Sequence, residues 1–236
     1  MHHLVLSPNH AIDFGTMSAL ESALDAHDPE RRFELTGGAK AFALGGDLKA
    51  FSTLRSKDDG WAMARRMDAI LRRIETWPGG SRVFVNGAAY GGGVELMAAF
   101  DEVVATKDAV FGFTQKRFGL PPGWGGMTRL GRRVEEAVLR QWFEQMRVLD
   151  ASEALAAGLV DSLGRKHGRI WYGRIRYGRI RYGRISDAPV LAPVLHAPSP
   201  SASWPRIDAE IEAFAEAWAS DEHHRLVAEF LNRART

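Results

Sequence analysis

Two glycine-rich turns, each placed after a predicted strand, carry the clearest chemical signal in the chain. They are residues 42–48 (FALGGDL) and residues 86–95 (NGAAYGGGVE). Glycine ahead of a helix allows positive φ and lets a ligand approach backbone N–H groups that the first helical turn leaves unpaired. Such a helix start favours negative charge. If N–H groups from both turns meet at one carbonyl oxygen, they form an oxyanion hole, which lowers a reaction barrier by several kcal/mol.

The sequence argues against several other kinds of site. The GGGVE segment lacks the Gly-x-Gly-x-x-Gly spacing of dinucleotide sites, and no glycine loop ends in Gly-Lys-Ser/Thr. The Gly-x-Ser-x-Gly elbow of serine hydrolases is absent. The chain has no cysteine, which excludes a disulfide framework or a thiolate zinc site. Adjacent histidines at 2–3 and 223–224 lack the i, i+4 spacing that favours metal binding, so no metal site is predicted.

Composition indicates a soluble globular protein, since 45% of the 236 residues are hydrophobic and 25% are charged. Residues 1–6 are too few and too polar for a signal peptide, and no apolar run is long enough to span a bilayer. We therefore expect a cytoplasmic protein that does not enter membranes. Of the 31 basic residues, eight lie in residues 165–184, which leaves 23 elsewhere against 29 acidic residues. The basic charge thus belongs to one segment.

Around the glycine turns, the hydrophobic pattern alternates between strand and helix periods. This alternation predicts an α/β layered core rather than a helical bundle or a β-sandwich. The predicted strands are residues 4–6, 32–36, 82–86, 102–106 and 109–113, and residues 39–44 lead into the first turn. The predicted helices are residues 17–27, 62–77, 94–100, 135–147, 151–157, 207–218 and 223–233.

The pattern changes abruptly after residue 163. Gly-Arg-Ile recurs every five residues between positions 168 and 185 with Tyr or Trp between the copies, and a Pro-rich stretch follows. Arginine with interleaved aromatics is compatible with nucleic-acid binding. A flexible insert is the favoured interpretation, so nucleic acid is not an expected partner. The predicted organisation is a core at 1–163, an insert at 164–205 and C-terminal helices at 206–236.

The two turns resemble motifs of the crotonase (enoyl-CoA hydratase/isomerase) superfamily. The family patterns are Phe-Ser-Ala-Gly-x-Asp-Leu and Asn-Gly-x-x-x-Gly-Gly-Gly-x-Glu-Leu, and further matches are Asp101, residues 119–126 (GLPPGWGG) and residues 154–161. The resemblance covers roughly residues 4–163 and returns near residues 230–233. It implies a spiral of repeated ββα units with a helical C-terminal portion. It also implies assembly as a homotrimer or a hexamer.

Four residues match the family's catalytic positions. The resemblance implies that the backbone N–H groups of Gly46 and Gly92 form the oxyanion hole, and that Glu95 is one of two carboxylates that manage water or a substrate proton. The second carboxylate position, four residues before Gly119, is occupied by Gln115. Glutamine forms hydrogen bonds but does not exchange a proton near neutral pH. A hydration mechanism that uses two carboxylates is therefore in doubt.

The resemblance also implies a binding site for coenzyme A as part of the substrate, with no separate cofactor. Ala41, Phe42 and Ala43 would help to line the site of the adenine ring. Lys49 would meet a phosphate group as a mobile point charge.

The expected function is therefore that of an acyl-CoA-processing enzyme of the enoyl-CoA hydratase/isomerase type, which stabilises a thioester enolate in an oxyanion hole. Tyr90, Phe113 and Trp124 lie in segments that the resemblance places around the acyl pocket. Two alternatives stay open, a malonyl-type acyl-CoA decarboxylase and a non-catalytic acyl-CoA-binding or RNA-binding homologue.

Overall fold

The computed structural model describes residues 2–3, 10–38, 40–164 and 200–233, and these form two β-sheets with helices packed against them. The first sheet is parallel and has the order β1 (His2–His3), β2 (Phe33–Thr36), β4 (Ser81–Val85), β6 (Glu102–Thr106), β9 (Ser162–Gly164). The second sheet has the order β3 (Ala41–Ala43), β5 (Ala88–Tyr90), β7 (Val110–Gly112), β8 (Val148–Asp150), and only β8 is antiparallel to its neighbour.

From β2 to β7, successive strands alternate between the two sheets. β2 and β3 are followed by helix α2 (Lys57–Glu75), and β4 and β5 are followed by helix α3 (Gly92–Met97). β6 and β7 lead, through a 3₁₀ turn at Gln115–Phe118, to helix α4 (Gly126–Leu130). Each unit thus adds one strand to each sheet, and the connection brings the chain back for the next parallel pairing. The predicted α/β spiral of ββα units is confirmed.

This topology explains why the two glycine turns meet. β3 and β5 are parallel neighbours, so their carboxyl ends lie at the same edge of the second sheet. The glycines of the first turn come shortly after Ala43, the last residue of β3, and those of the second come directly after Tyr90, the last residue of β5. Two turns that are about 45 residues apart in sequence therefore lie side by side.

Helices α1 (Phe14–Ala26) and α2 pack their apolar stripes against the sheets, and each helix begins with a polar N-cap. Asp13 accepts the backbone N–H of Thr16 at 2.7 Å, which starts α1 earlier than the apolar period indicates. Ser56 and Asp59 form a capping box at the start of α2. Because this first turn is polar, the prediction from hydrophobic periodicity placed the start of α2 too late.

The remaining helices are α5 (Glu136–Glu144), α6 (Ala151–Ala156), α7 (Trp204–Trp218) and α8 (Asp221–Arg233). α7 packs along α2 and also contacts α4, whereas α8 packs on the 3₁₀ turn at Gln115–Phe118. The expected helical C-terminal portion is confirmed. α7 begins three residues before the predicted position because Pro205 occupies its first turn, where a missing N–H costs nothing.

Three predictions fall on residues outside the described ranges, namely the strand at 4–6, the Gly-Arg-Ile repeat and most of the segment 164–205. Within the described ranges, the sequence reasoning missed the short strands β1, β5, β8 and β9 and the short helix α4. No helix in those ranges has the length and apolar character needed to cross a membrane.

Candidate active site

A cavity of about 470 Å³ lies against the edge where the two glycine turns meet. Most of its wall is apolar, and a few polar groups enter it at one place, as is typical of sites for small ligands. Its lining includes Gly45, Gly46, Gly91, Gly92, Glu95, Gln115, Trp124, Phe214, Trp218 and Phe230. The cavity therefore draws on the first two ββα units, the segment after β7 and both C-terminal helices.

The two turns touch through their backbones, which explains their glycine content. Gly45 has φ of +89°, and a Cβ atom there would lie 3.1 Å from the Tyr90 carbonyl oxygen and 3.3 Å from the Gly92 nitrogen. A Cβ atom on Gly93 would lie 2.2 Å from the Ala43 carbonyl oxygen. Residues with side chains would force the turns apart, so glycine brings the backbone of one turn against the other.

The N–H groups of Gly46 and Gly92 have no acceptor among the described residues. Gly46 forms a bridge with Ile12 in which the flanking groups, the Gly45 carbonyl and the Asp47 N–H, make the hydrogen bonds. Gly92 is the first residue of α3, where a backbone N–H has no partner within the helix. Both glycines line the cavity at the place where the resemblance predicts the oxyanion hole.

Glu95 is buried, with 2% of its surface exposed, and its carboxylate is held by three neutral donors. Its Oε1 accepts Gln115 Nε2 at 3.1 Å and the Gly123 N–H at 3.3 Å. Its Oε2 accepts the Trp124 N–H at 2.7 Å. The side chain is therefore fixed at the cavity wall, and no cation neutralises it within the described residues.

Burial raises the pKa of Glu95 from its ordinary value of 4.5 to about 7, because the ionised carboxylate has lost its water. The negative charge of Glu210 on α7 also raises this pKa, whereas the hydrogen bonds from Gln115, Trp124 and Gly123 lower it by stabilising the ionised form. A carboxyl group that titrates near neutral pH can both accept and return a proton.

Gln115 begins the 3₁₀ turn after β7 and has 9% of its surface exposed. Its amide nitrogen donates to Glu95, while its buried carbonyl oxygen, Oε1, has no donor among the described residues. The sequence had placed Gln115 opposite Glu95 from the family spacing, and the structure brings the two side chains into contact. The two positions that the family motif assigns to carboxylates are thus occupied by one carboxylate, Glu95, and one amide, Gln115.

Arg129 on α4 is a residue to which the sequence reasoning gave no role. It is fully buried, and its guanidinium group donates to the carbonyl oxygen of Trp124, the residue whose N–H binds Glu95. The same group pairs with Glu75 at 3.0 Å and with Asp68 at 2.9 Å, both on α2. A signal was present in the sequence, because Asp68 and Glu75 lie seven residues apart beside the apolar stripe of α2.

Glu210 on α7 is a half-buried carboxylate near the site that the sequence reasoning missed. It accepts the backbone N–H groups of Met127 at 3.0 Å and Thr128 at 2.8 Å, at the start of α4. Burial raises the pKa of Glu210 as well. It ties the C-terminal helix to the segment that carries Trp124, but it is not part of the cavity lining.

The residues expected to bind coenzyme A lie in two places. Lys49 is exposed and lines the cavity next to the first turn. Ala41, Phe42 and Ala43 form β3 and are buried, outside the cavity lining. Their predicted contact with an adenine ring stays a prediction.

The three aromatic residues expected around the acyl pocket also differ in whether they line the cavity. Trp124 lines the cavity, and its ring lies so close to Gly92 that a Cβ atom there would be 2.2 Å from Trp124 Cζ3. Tyr90 packs its ring on Gly112. Phe113 is fully buried against Trp142 and Phe143. Of these three aromatics, the cavity lining includes Trp124 alone.

Asp47 caps the turn that follows it, whereas Asp101 binds the start of strand β4. Asp47 Oδ1 accepts the N–H groups of Lys49 and Ala50, each at 3.0 Å. Asp101 Oδ2 accepts the Ser81 N–H at 2.7 Å. No cluster of three or more potential metal ligands occurs within the described residues.

The chain is similar to enoyl-CoA hydratases and to related enzymes, both in sequence and in fold. A family model described as enoyl-CoA hydratase/isomerase matches residues 7–168. A Bacillus subtilis (strain 168) protein named "Probable enoyl-CoA hydratase" is 32% identical over 162 residues, which are 67% of this chain and 62% of that protein. An ethylmalonyl-CoA decarboxylase of Rattus norvegicus is 37% identical over 131 residues, which are 54% of this chain and 42% of that protein.

A crystal structure of an enoyl-CoA hydratase from Bacillus anthracis superimposes with a TM-score of 0.64 and 26% identity. The match covers 70% of this chain and 66% of that one. The chain thus spans less than two thirds of the length of these curated relatives.

Proposed function

The chain belongs to the enoyl-CoA hydratase/isomerase family, and on that premise we propose that it is an acyl-CoA-processing enzyme of the hydratase/isomerase type. The observation that carries the proposal is the pair of N–H donors at Gly46 and Gly92, which line one cavity together with a buried Glu95 that titrates near neutral pH. Coenzyme A enters as part of the substrate, and no separate cofactor takes part.

The two N–H groups polarise the thioester carbonyl of the bound substrate. When a proton leaves the carbon next to this carbonyl, negative charge moves to the oxygen, and the donors at Gly46 and Gly92 stabilise the resulting enolate. Because both donors are held by the backbone contact between the turns, they need little rearrangement during the reaction. Trp124 packs on Gly92 and forms part of the wall that excludes water.

Glu95 moves the proton. In an isomerisation, its carboxylate removes a proton from C2 of a 3-enoyl thioester, and the same proton returns to C4 as the double bond shifts to C2–C3. One acid/base group is sufficient for this sequence, and Glu95 is that group, with Gln115 at the position of the family's second carboxylate. A hydration mechanism that uses two carboxylates would need a second acid at position 115, and that residue is glutamine.

A malonyl-type decarboxylase is the second candidate, and the similarity to an ethylmalonyl-CoA decarboxylase favours it. In that reaction CO2 leaves the acyl group, and the oxyanion hole stabilises the enolate left behind. The oxyanion donors would serve both reactions, so the role of Glu95 discriminates between them.

The decisive experiment measures turnover of a short 2-enoyl-CoA, a 3-enoyl-CoA and a substituted malonyl-CoA, with products identified by mass. We expect the wild type to convert an enoyl-CoA, and Glu95→Gln to lower kcat by at least about a hundredfold, the range of general acid–base catalysis. Glu30→Gln is the matched control, because Glu30 is exposed and distant from the cavity lining. Malonyl turnover that survives Glu95→Gln would instead assign the decarboxylase function, and silence on all three thioesters would reject the proposal.

Three finer properties belong to the same proposal. The family resemblance supports a homotrimer or a hexamer. The cytoplasm is the proposed location, because nothing in the composition indicates a disulfide-dependent protein of an oxidising compartment. Fatty-acid metabolism is the setting that suits an enoyl-CoA substrate.

A further inference from the structure

The lining of the cavity divides into an open mouth and a closed end. Leu44, Lys49 and Phe230 line the cavity and are exposed, so they mark the mouth. Another part of the lining consists of side chains with 5% or less of their surface exposed, which close the cavity from solvent. They are Phe51, Met63, Glu95, Trp124, Phe214 and Trp218. The nucleotide of coenzyme A is large and charged and suits the mouth, so the acyl group enters the closed end, beside Glu95.

Trp124 is the member of this closed end that lies against both glycine turns. A Cβ atom on Gly92 would lie 2.2 Å from Trp124 Cζ3, and one on Gly46 would lie 4.0 Å from Trp124 Cζ2. The six-membered ring of a single indole thus spans the two glycines. The backbone N–H and carbonyl of Trp124 are already bound to Glu95 and Arg129, so the indole is the part of this residue that remains to form the cavity wall.

The segment that carries the indole is held from behind by α7. A Cβ atom on Gly123 would lie 2.4 Å from Phe214 Cδ2, so the ring of Phe214 packs directly on the backbone next to Trp124. Phe214 in turn packs on Trp218, with ring centroids 5.4 Å apart. A close-packed wall of this kind does not yield to a ligand without cost, because displaced side chains must leave their preferred rotamers.

We propose that Trp124 is a specificity-determining residue, whose indole closes the acyl end of the cavity and restricts the protein to short acyl groups such as butyryl. This inference rests on the proposed function, because it assumes that the thioester carbonyl of an acyl-CoA binds at Gly46 and Gly92. A longer chain must push the indole against α7. A smaller side chain at position 124 would leave apolar space continuous with the cavity, and each methylene buried there would raise the affinity about fourfold.

The test measures Kd values for butyryl-CoA, hexanoyl-CoA and octanoyl-CoA. These thioesters are saturated, so neither hydration nor a double-bond shift disturbs the measurement. The proteins are wild type, Trp124→Leu, Trp124→Phe and a control, Trp61→Leu, in which an exposed tryptophan of α2 outside the cavity lining is replaced. Urea unfolding shows whether each variant is folded. If Trp124→Leu is unfolded, Trp124→Phe carries the test, because it keeps an aromatic ring and still shortens the side chain.

We expect the wild type and Trp61→Leu to bind octanoyl-CoA about tenfold more weakly than butyryl-CoA, since the added methylenes overpack the closed end. Trp124→Leu should reverse this order and bind octanoyl-CoA at least about tenfold more tightly than the wild type does. Trp124→Phe should lie between the two. The affinity for butyryl-CoA should change by less than about threefold in both variants, because the smaller acyl group gains little from the new space.

An affinity of the wild type that keeps rising from butyryl-CoA to octanoyl-CoA would overturn the inference, because the cavity would then have no closed acyl end. The same falling order in folded Trp124→Leu or Trp124→Phe as in the wild type would also overturn it, because the limit would then lie elsewhere in the wall. Both results leave the proposed function intact. Failure of all three thioesters to bind folded wild-type protein would reject the proposed function, and the inference with it.

Discussion

The protein buries carboxylates in two regions that treat them in opposite ways. Glu95 faces neutral donors, and burial raises its pKa to about 7. Glu75 is similarly buried, but the guanidinium groups of Arg129 and Arg132 contact it directly. A buried carboxylate beside cations has its charge neutralised and serves to hold elements together. One with only neutral partners can take up a proton, which is what an acid/base residue requires.

The two regions are linked through one peptide segment. Trp124 donates its N–H to Glu95, and its carbonyl oxygen accepts from Arg129. The ion cluster, formed by Arg129, Arg132, Asp68 and Glu75, thus positions the N–H donor that binds Glu95. Substitutions in the ion cluster test its role in stability, and substitutions at the cavity test the chemistry of the site.

The largest expected effect on stability follows from removing the cation of the ion cluster. Arg129→Met leaves Glu75 and Asp68 buried with a smaller opposing charge, so we expect the free energy of unfolding to fall by about 3–5 kcal/mol. Urea unfolding measures the loss. Arg140→Met is the control, because Arg140 is an exposed partner of Glu136 and such solvent-screened pairs contribute little to stability. Equal effects of the two substitutions would contradict a structural role for the cluster.

The next effect concerns the oxyanion hole. A Cβ atom at Gly92 would lie 2.2 Å from the Trp124 ring, so Gly92→Ala must displace the ring or the N–H donor. We expect kcat to fall about 10²- to 10³-fold, the loss seen when one oxyanion donor is removed. Gly15→Ala, in the exposed first turn of α1, should leave kcat unchanged. Normal activity of Gly92→Ala would remove this N–H from the proposed mechanism.

The smallest effect tests how α7 influences the site. The negative charge of Glu210 raises the pKa of Glu95, so Glu210→Gln should lower that pKa. The acid limb of a pH profile of kcat/KM should therefore move to lower pH by less than about one unit, since burial remains the main cause. Glu212→Gln, on an exposed part of α7, is the matched control. A shift to higher pH would contradict the electrostatic argument.

The sequence predicted the parts of the site that depend on local spacing. The glycine-rich turns were recognised from their composition and their position after strands, and the family resemblance then assigned Gly46, Gly92 and Glu95 within them, assignments that stay predictions. Gln115 was placed opposite Glu95 by the family motif alone. Its unpartnered oxygen could not be predicted, because that depends on the three-dimensional surroundings.

The parts that were missed depend on contacts between distant segments. β5 has the sequence Ala-Ala-Tyr, which carries little strand propensity, and its identity comes from pairing with β3 and β7. The contact between Arg129 and Glu75 joins residues 54 positions apart, and Glu210 reaches α4 from more than 80 positions away. Hydrophobic periodicity carries no information on such pairings.

The central claim, that Glu95 is an acid/base group, is tested most directly by titrating its carboxyl group. Infrared difference spectra of the protonated carboxyl stretch, taken as wild type minus Glu95→Gln between pH 4 and pH 9, isolate this one residue. The account predicts a midpoint near the value of about 7 that burial gives Glu95. A midpoint close to the ordinary value of 4.5 would show that the three hydrogen bonds outweigh burial, and would contradict the assignment of Glu95 as the group that exchanges the substrate proton.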